Sequence, residues 1–166
     1  MALTIEDGSG VAGANSYIDV AEARAYAAAR GLTLPAADDE VEALLIKAMD
    51  FIEAYRGDFQ GLKTAATNPL QWPRTGVILD GYPLAENVIP QVLKDAQAQL
   101  AIDAQNMDLM PIGTGREVVM ERVDVIQVQY AESGNANPQP IFTKAEALLK
   151  PLFKSSLFGS LRSIRV

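Results

Sequence analysis

Gly8-Ser9-Gly10-Val11-Ala12-Gly13 matches G-x-G-x-x-G letter for letter, the pattern in which a glycine turn opens a helix whose N-terminus binds pyrophosphate. That chemistry needs an apolar strand before the turn, a helix starting at its last glycine, and a second strand after the helix. Here Glu6 and Asp7 precede the motif and the next helix cap comes only at Asp19. Negative charge would lie where pyrophosphate must sit, so the stretch reads as a glycine turn leading into Asn15-Ser16-Tyr17. The cluster Asp38, Asp39, Glu40 and Glu42 could hold a hard cation. No D-x-[DN]-x-[DN]-G loop surrounds it, and acids there suit a solvated helix start, where the helix dipole favours them. Tyr26, Phe51 and Tyr55 could stack the bases of a single strand, but each belongs to a helical segment with an apolar stripe, which favours core packing.

The chain has no Cys and no His. It therefore lacks a thiol nucleophile, the commonest general base and the commonest transition-metal ligand. Ser16, Ser133 and the C-terminal serines have no imidazole to activate them. The expectation is a protein that is not an enzyme and uses no cofactor and no metal. No apolar run in the 166 residues approaches the length of a membrane span, and the acidic start does not read as a secretory signal. The net charge of −7 is uneven: residues 1–143 hold 9 basic and 20 acidic side chains, while residues 144–166 hold five basic ones against Glu146 alone. An acidic body repels phosphate backbones, and a basic end on an acidic body reads as an arm that docks elsewhere.

The elements that would position these residues follow from spacing. Asp19-Val20-Ala21-Glu22 has capping-box spacing and the Ala-rich run ends at Gly31, which predicts a helix over 19–30. Val41, Leu44, Leu45, Ala48, Ile52 and Tyr55 recur at helical spacing and predict a second helix up to Gly57. Residues 57–87, rich in Gly and Pro, read as a long ordered loop or short turns. A third helix follows Pro90, with Leu93, Ala96, Leu100, Ala104 and Met107 as its buried stripe. Ile126, Val128 and Tyr130 alternate with glutamines after a β-branched run, so 117–131 reads as a β-hairpin. Thr143-Lys144-Ala145-Glu146 opens a short helix that Pro151 must end or kink. The fold class expected is mainly α: a small bundle of about four helices with a β-hairpin insertion and an extended C-terminal arm.

The single Trp lies in "NPLQWPRTGV", residues 68–77. Pro73 biases Trp72 toward extended backbone, and an indole there can pin the loop onto the helices. Trp72 and Pro73 are thus expected as a structural anchor, with Arg74 pointing outward or reaching a neighbouring acid.

The order "LTIEDGSGVAGANSYIDVAEARAYAAARG", "ALLIKAMDFIEAYRGDFQG", "LQWPRTGV", "VIPQVLKDAQAQLA" and "AEALLKPLF" resembles the head–tail connector (adaptor) family of tailed phages, whose members are often labelled DnaT-like single-stranded-DNA-binding proteins. The resemblance covers roughly residues 3–153 and implies a structural virion protein. Such a subunit would form a homo-oligomeric ring of about twelve copies in the capsid–tail neck, after assembly in the host cytoplasm. Its implied partners are the portal protein, neighbouring copies and tail or tail-completion proteins, with double-stranded DNA passing through the channel unbound and no membrane involved. On that reading residues 1–153 form the adaptor domain and residues 154–166 a docking arm. In the arm, Leu157, Phe158, Leu161 and Ile164 would anchor on the portal and Arg162 and Arg165 would pair with acids there. Ile126, Val128 and Tyr130 of the hairpin would meet a neighbouring subunit or the tail. The alternative is a single-stranded-DNA-binding protein of a phage replication system. Independent of either function, Trp72→Ala is expected to cost about 3–5 kcal/mol of stability, read from urea unfolding.

Overall fold

The computed structural model describes residues 2–110, 120–123, 126–129 and 143–154. They fall into two compact units. The larger contains residues 1–109 and 142–166, and the smaller residues 110–141. In the larger unit four helices surround one core: α1 (Val20–Ala28), α2 (Asp38–Ala54), α3 (Gln91–Asp103) and α4 (Thr143–Leu149), the last continuing into a 3₁₀ turn at Lys150–Leu152. Between α2 and α3 lie two antiparallel two-stranded ladders, β1 (Leu62–Lys63) with β2 (Arg74–Thr75), and β3 (Ile78–Leu79) with β4 (Tyr82–Pro83). The smaller unit contains a hairpin of β5 (Met120–Val123) and β6 (Ile126–Gln129), in register Val123↔Ile126 to Met120↔Gln129, inside the expected span 117–131. Among the described residues no helix is long and apolar enough to cross a membrane.

α1 begins as its residues dictate. Asp19 accepts from the Glu22 backbone N–H at 2.7 Å and Glu22 reaches back to the Asp19 N–H at 3.1 Å, closing the capping box. The helix ends two residues before the expected Arg30, where Gly31 takes φ +66° and the Leu32 N–H returns to the Ala27 carbonyl. α2 buries Val41, Leu44, Leu45, Ala48 and Ile52 on its inner stripe. α3 departs from a one-sided stripe, because it packs against α1, α2 and α4 together. Every residue from Ala96 to Ile102 is buried, Gln97 and Gln99 included. Met107, expected in that stripe, is 49% exposed, since the helix stops at Asp103 before reaching it.

Buried Glu6, Ser16 and Gln97 are each hydrogen-bonded, and Gln97 ties distant segments together. Gln97 accepts from the Tyr17 N–H at 2.9 Å and donates to Ser16 Oγ and to the Leu45 carbonyl at 2.8 and 3.1 Å. Asn15-Ser16-Tyr17 is thereby locked against α2 and α3 at once. The fully buried Glu6 closes the glycine turn on itself, accepting from the N–H groups of Gly8, Gly10 and Val11 at 2.8–2.9 Å. The backbone nest that could have held a phosphate therefore holds the chain's own carboxylate. Gly8, at φ +104°, lies so close to the Asn87 carbonyl that a Cβ there would meet its oxygen at 1.9 Å.

Tyr17 is fully buried, accepts from the Trp72 N–H at 3.2 Å and donates to Glu53 Oε1 at 3.3 Å. Burial, and then the Glu53 carboxylate, push its phenol well above the usual 10.0. A proton kept in the folded state and released by the unfolded one makes stability fall as pH rises from about 10 towards the folded value. Melting temperature measured between pH 8 and 11 should therefore drop steeply at the alkaline end for the wild type, and less steeply for Tyr17→Phe.

Candidate nucleic-acid interface

The segment between α2 and α3 is built around Trp72. Its indole is fully buried and meets Phe59 edge-on at 5.9 Å, and its Nε1–H has no acceptor among the described residues. Phe59 continues an aromatic row through Phe153 at 5.4 Å, Tyr55 at 5.3 Å and Phe51 at 5.4 Å. The row seals the C-terminal end of α2 against the chain leaving the 3₁₀ turn. The Trp72–Pro73 peptide is cis.

Arg74, expected to point outward or reach an acid, instead turns inward onto backbone carbonyls. It is 5% exposed, and its fork donates to the carbonyls of Gln60 at 2.7 Å, Gly61 at 2.9 Å and Gln71 at 3.3 Å. The reason is geometric: the turns at 60–61 and 71 leave carbonyls without ladder partners, and a planar guanidinium can satisfy several at once. Burial pulls its pKa below the usual value, while Tyr17 and Glu53 act in the opposite direction. Gly61, at φ +62°, passes so near the Thr75 carbonyl that a Cβ would meet its oxygen at 2.0 Å.

Gln60 joins three pieces of chain at this end. Its N–H donates to the Leu152 carbonyl, its amide nitrogen to the Pro151 carbonyl at 2.7 Å, and its amide oxygen accepts from the Ile78 N–H at 3.3 Å. Lys154, placed at the start of the expected docking arm, is held there too: its N–H reaches the Asp58 carbonyl at 2.7 Å and its Nζ the Gly57 carbonyl at 2.8 Å. β3 and β4 then project as a tight hairpin whose two-residue turn is Asp80-Gly81, at φ +53° and +86°. Within 57–87, which the Gly and Pro content predicts to be a long ordered loop or short turns, Asp-Gly between "VIL" and "YPL" is the signal for a type I′ hairpin turn.

The surface of this end combines two features. Tyr82, Leu62 and Ile78 are 77%, 72% and 58% exposed, the three most exposed large apolar side chains among the described residues. Arg56, Lys150 and Lys154 are exposed and Lys63 is half-buried, and none of the four is in an ion pair among the described residues. Elsewhere Arg24, Arg30 and Lys94 lie against Asp38, Asp95 and Glu22 at 2.6, 4.0 and 3.2 Å. Asp58, Asp80 and Glu86 share the end with the four cations, and Glu86 accepts from the Thr75 hydroxyl. The strongest acidic cluster, Asp38 to Glu40, opens α2 at its far end, about 25 Å away along the 17-residue helix.

The remaining sequence candidates are not brought to this surface. Tyr26 and Phe51 are buried in the core and Tyr55 is half-buried in the aromatic row. Ile126 and Val128 lie on β6 of the separate unit. Tyr130, Leu157, Phe158, Leu161, Arg162, Ile164 and Arg165 lie outside the described residues. Because Arg74 satisfies buried carbonyls, Arg74→Met should lower unfolding free energy by about 2–4 kcal/mol. Arg74→Lys, with one point donor in place of a fork, should recover only part of it in the same urea titration.

No curated protein and no solved structure matches the chain. One family model does, across residues 1–166, and it corrects the reading as a head–tail connector. The family is described by DNA binding and not by a place in a phage neck, so the adaptor identity falls. The virion, portal-docking and connector-ring roles attached to it are withdrawn as well. The charge averaged over residues 1–143 is acidic, yet Arg56, Lys63, Lys150 and Lys154 are in no ion pair among the described residues. Along its whole length the chain belongs to the family described as "Putative DnaT-like ssDNA binding protein".

Proposed function

We propose that this protein binds single-stranded DNA, without catalysing a reaction, through the end of the molecule where the 3₁₀ turn folds against the α2 C-terminus. Membership of the family over the full chain carries the reading. The gathering of Arg56, Lys63, Lys150 and Lys154, none in an ion pair among the described residues, supports it. Nucleic-acid affinity comes largely from cations that displace condensed counterions from phosphates.

The net charge of −7 does not oppose this. Screening at physiological ionic strength decays over about 8 Å, and the acidic start of α2 lies about three such lengths from the cationic end. A phosphate approaching Lys150 and Lys154 therefore responds to nearby charges far more than to the molecular total. The basic segment 144–166 supplies two of the four cations directly. A duplex would present paired, stacked bases to the apolar tip, whereas an unpaired strand can offer base faces to it.

Fluorescence anisotropy with a labelled oligothymidine should show binding at 50 mM salt that weakens linearly with the logarithm of salt concentration. Replacing Lys150 and Lys154 together by Gln should flatten that slope by about 1.4, or roughly 0.7 for each lost phosphate contact. Absence of binding at low salt would end the proposal.

A further inference from the structure

We propose that the β3–β4 tip is a base-stacking platform on which Tyr82 receives the face of an unpaired nucleobase, an assignment that rests on the single-strand reading above. The tip is rigidly mounted for such a role. Asp80-Gly81 sets the turn, Leu79 packs against the core opposite Tyr82 in the ladder, and Ile78 is tied through Gln60 to the 3₁₀ turn. The ring is thus held on a fixed two-residue ladder, yet is 77% exposed. A phenol ring has a π face that any base can meet, and only two torsions to restrain.

The surroundings favour a nucleotide over another protein. Leu62, Ile78 and Tyr82 together present roughly 300–400 Å² of side chain, about half of what each partner contributes to a stable protein interface. That area suits one or two bases. Lys150 and Lys154 follow Ile78's own anchor point in the fold, because Gln60 bonds both Ile78 and the backbone of the 3₁₀ turn. A base on Tyr82 would therefore have its phosphate within the field of those lysines. The arrangement is sequence-tolerant, since it offers stacking and charge without a fixed pattern of donors at the tip.

The test separates stacking from phosphate attraction by comparing oligothymidine with an abasic strand of equal length, both followed by anisotropy. The wild type should prefer the strand with bases by about 5- to 150-fold. Tyr82→Ala should lose that preference and bind both strands as the wild type binds the abasic one, while Tyr82→Phe should keep it. Thermal melting of Tyr82→Ala alongside the wild type checks that the exposed substitution leaves the fold intact. Wild-type protein that binds oligothymidine but is indifferent to Tyr82→Ala overturns the platform and leaves single-strand binding standing. Wild-type protein that binds neither strand overturns both.

Discussion

The guanidinium of Arg74 is the group on which the segment between α2 and α3 depends. A segment of about thirty residues without a long helix or strand has many backbone carbonyls to satisfy away from water. Arg74 takes those of Gln60, Gly61 and Gln71, and Trp72 beside it fills the space beneath. Together they let a Gly- and Pro-rich stretch stand as a fixed structure. Tyr17 and Glu53 then fasten that stretch to α2 and to the N-terminal segment, through the N–H groups of Trp72 and Gln71. The ladders, the hairpin tip and the docking of the 3₁₀ turn all build outward from this fixed centre.

The proposed single-strand binding turns on local rather than total charge. α2 carries Asp38, Asp39 and Glu40 in its first turn and Asp50 and Glu53 nearer its end, while Arg56 follows its last turn and the chain at Lys154 folds in beside it. A molecule can be acidic overall and still offer cations to a phosphate, provided the two regions lie several screening lengths apart. The aromatic row from Phe51 to Trp72 makes this possible by bringing residues 150–154 back to the end of α2. Two lysines that are remote in sequence thereby join Arg56 and Lys63.

The glycine-rich start shows the same logic in reverse. A nest of backbone N–H groups is a ready anion site, and in this chain it is filled from within by Glu6. The carboxylate that argued against a dinucleotide on grounds of repulsion occupies the very donors a phosphate would need. Its role is to hold the N-terminal segment in shape, with Gly8 pressed against Asn87 of the distant loop.

Wherever a local rule was sufficient, the sequence was legible. The Asp19 cap, the stripe of α2, the helix after Pro90, the strand pairing of 120–129 and the short helix before Pro151 all depend on neighbours within a few residues. The Asp80-Gly81 turn is equally local, but the surrounding Gly and Pro give it the composition of a loop. The full burial of α3, the outward place of Met107 and the inward turn of Arg74 could not be read in this way, since each depends on which distant surfaces close over it. Sequence alone determined the helical elements, the absence of His and Cys and the uneven charge, because these follow from residue type and spacing. Only the tertiary structure decided that residues 150–154 return to Gln60 and the end of α2, because that meeting is made by aromatic packing and Gln60 hydrogen bonds across some ninety residues of chain.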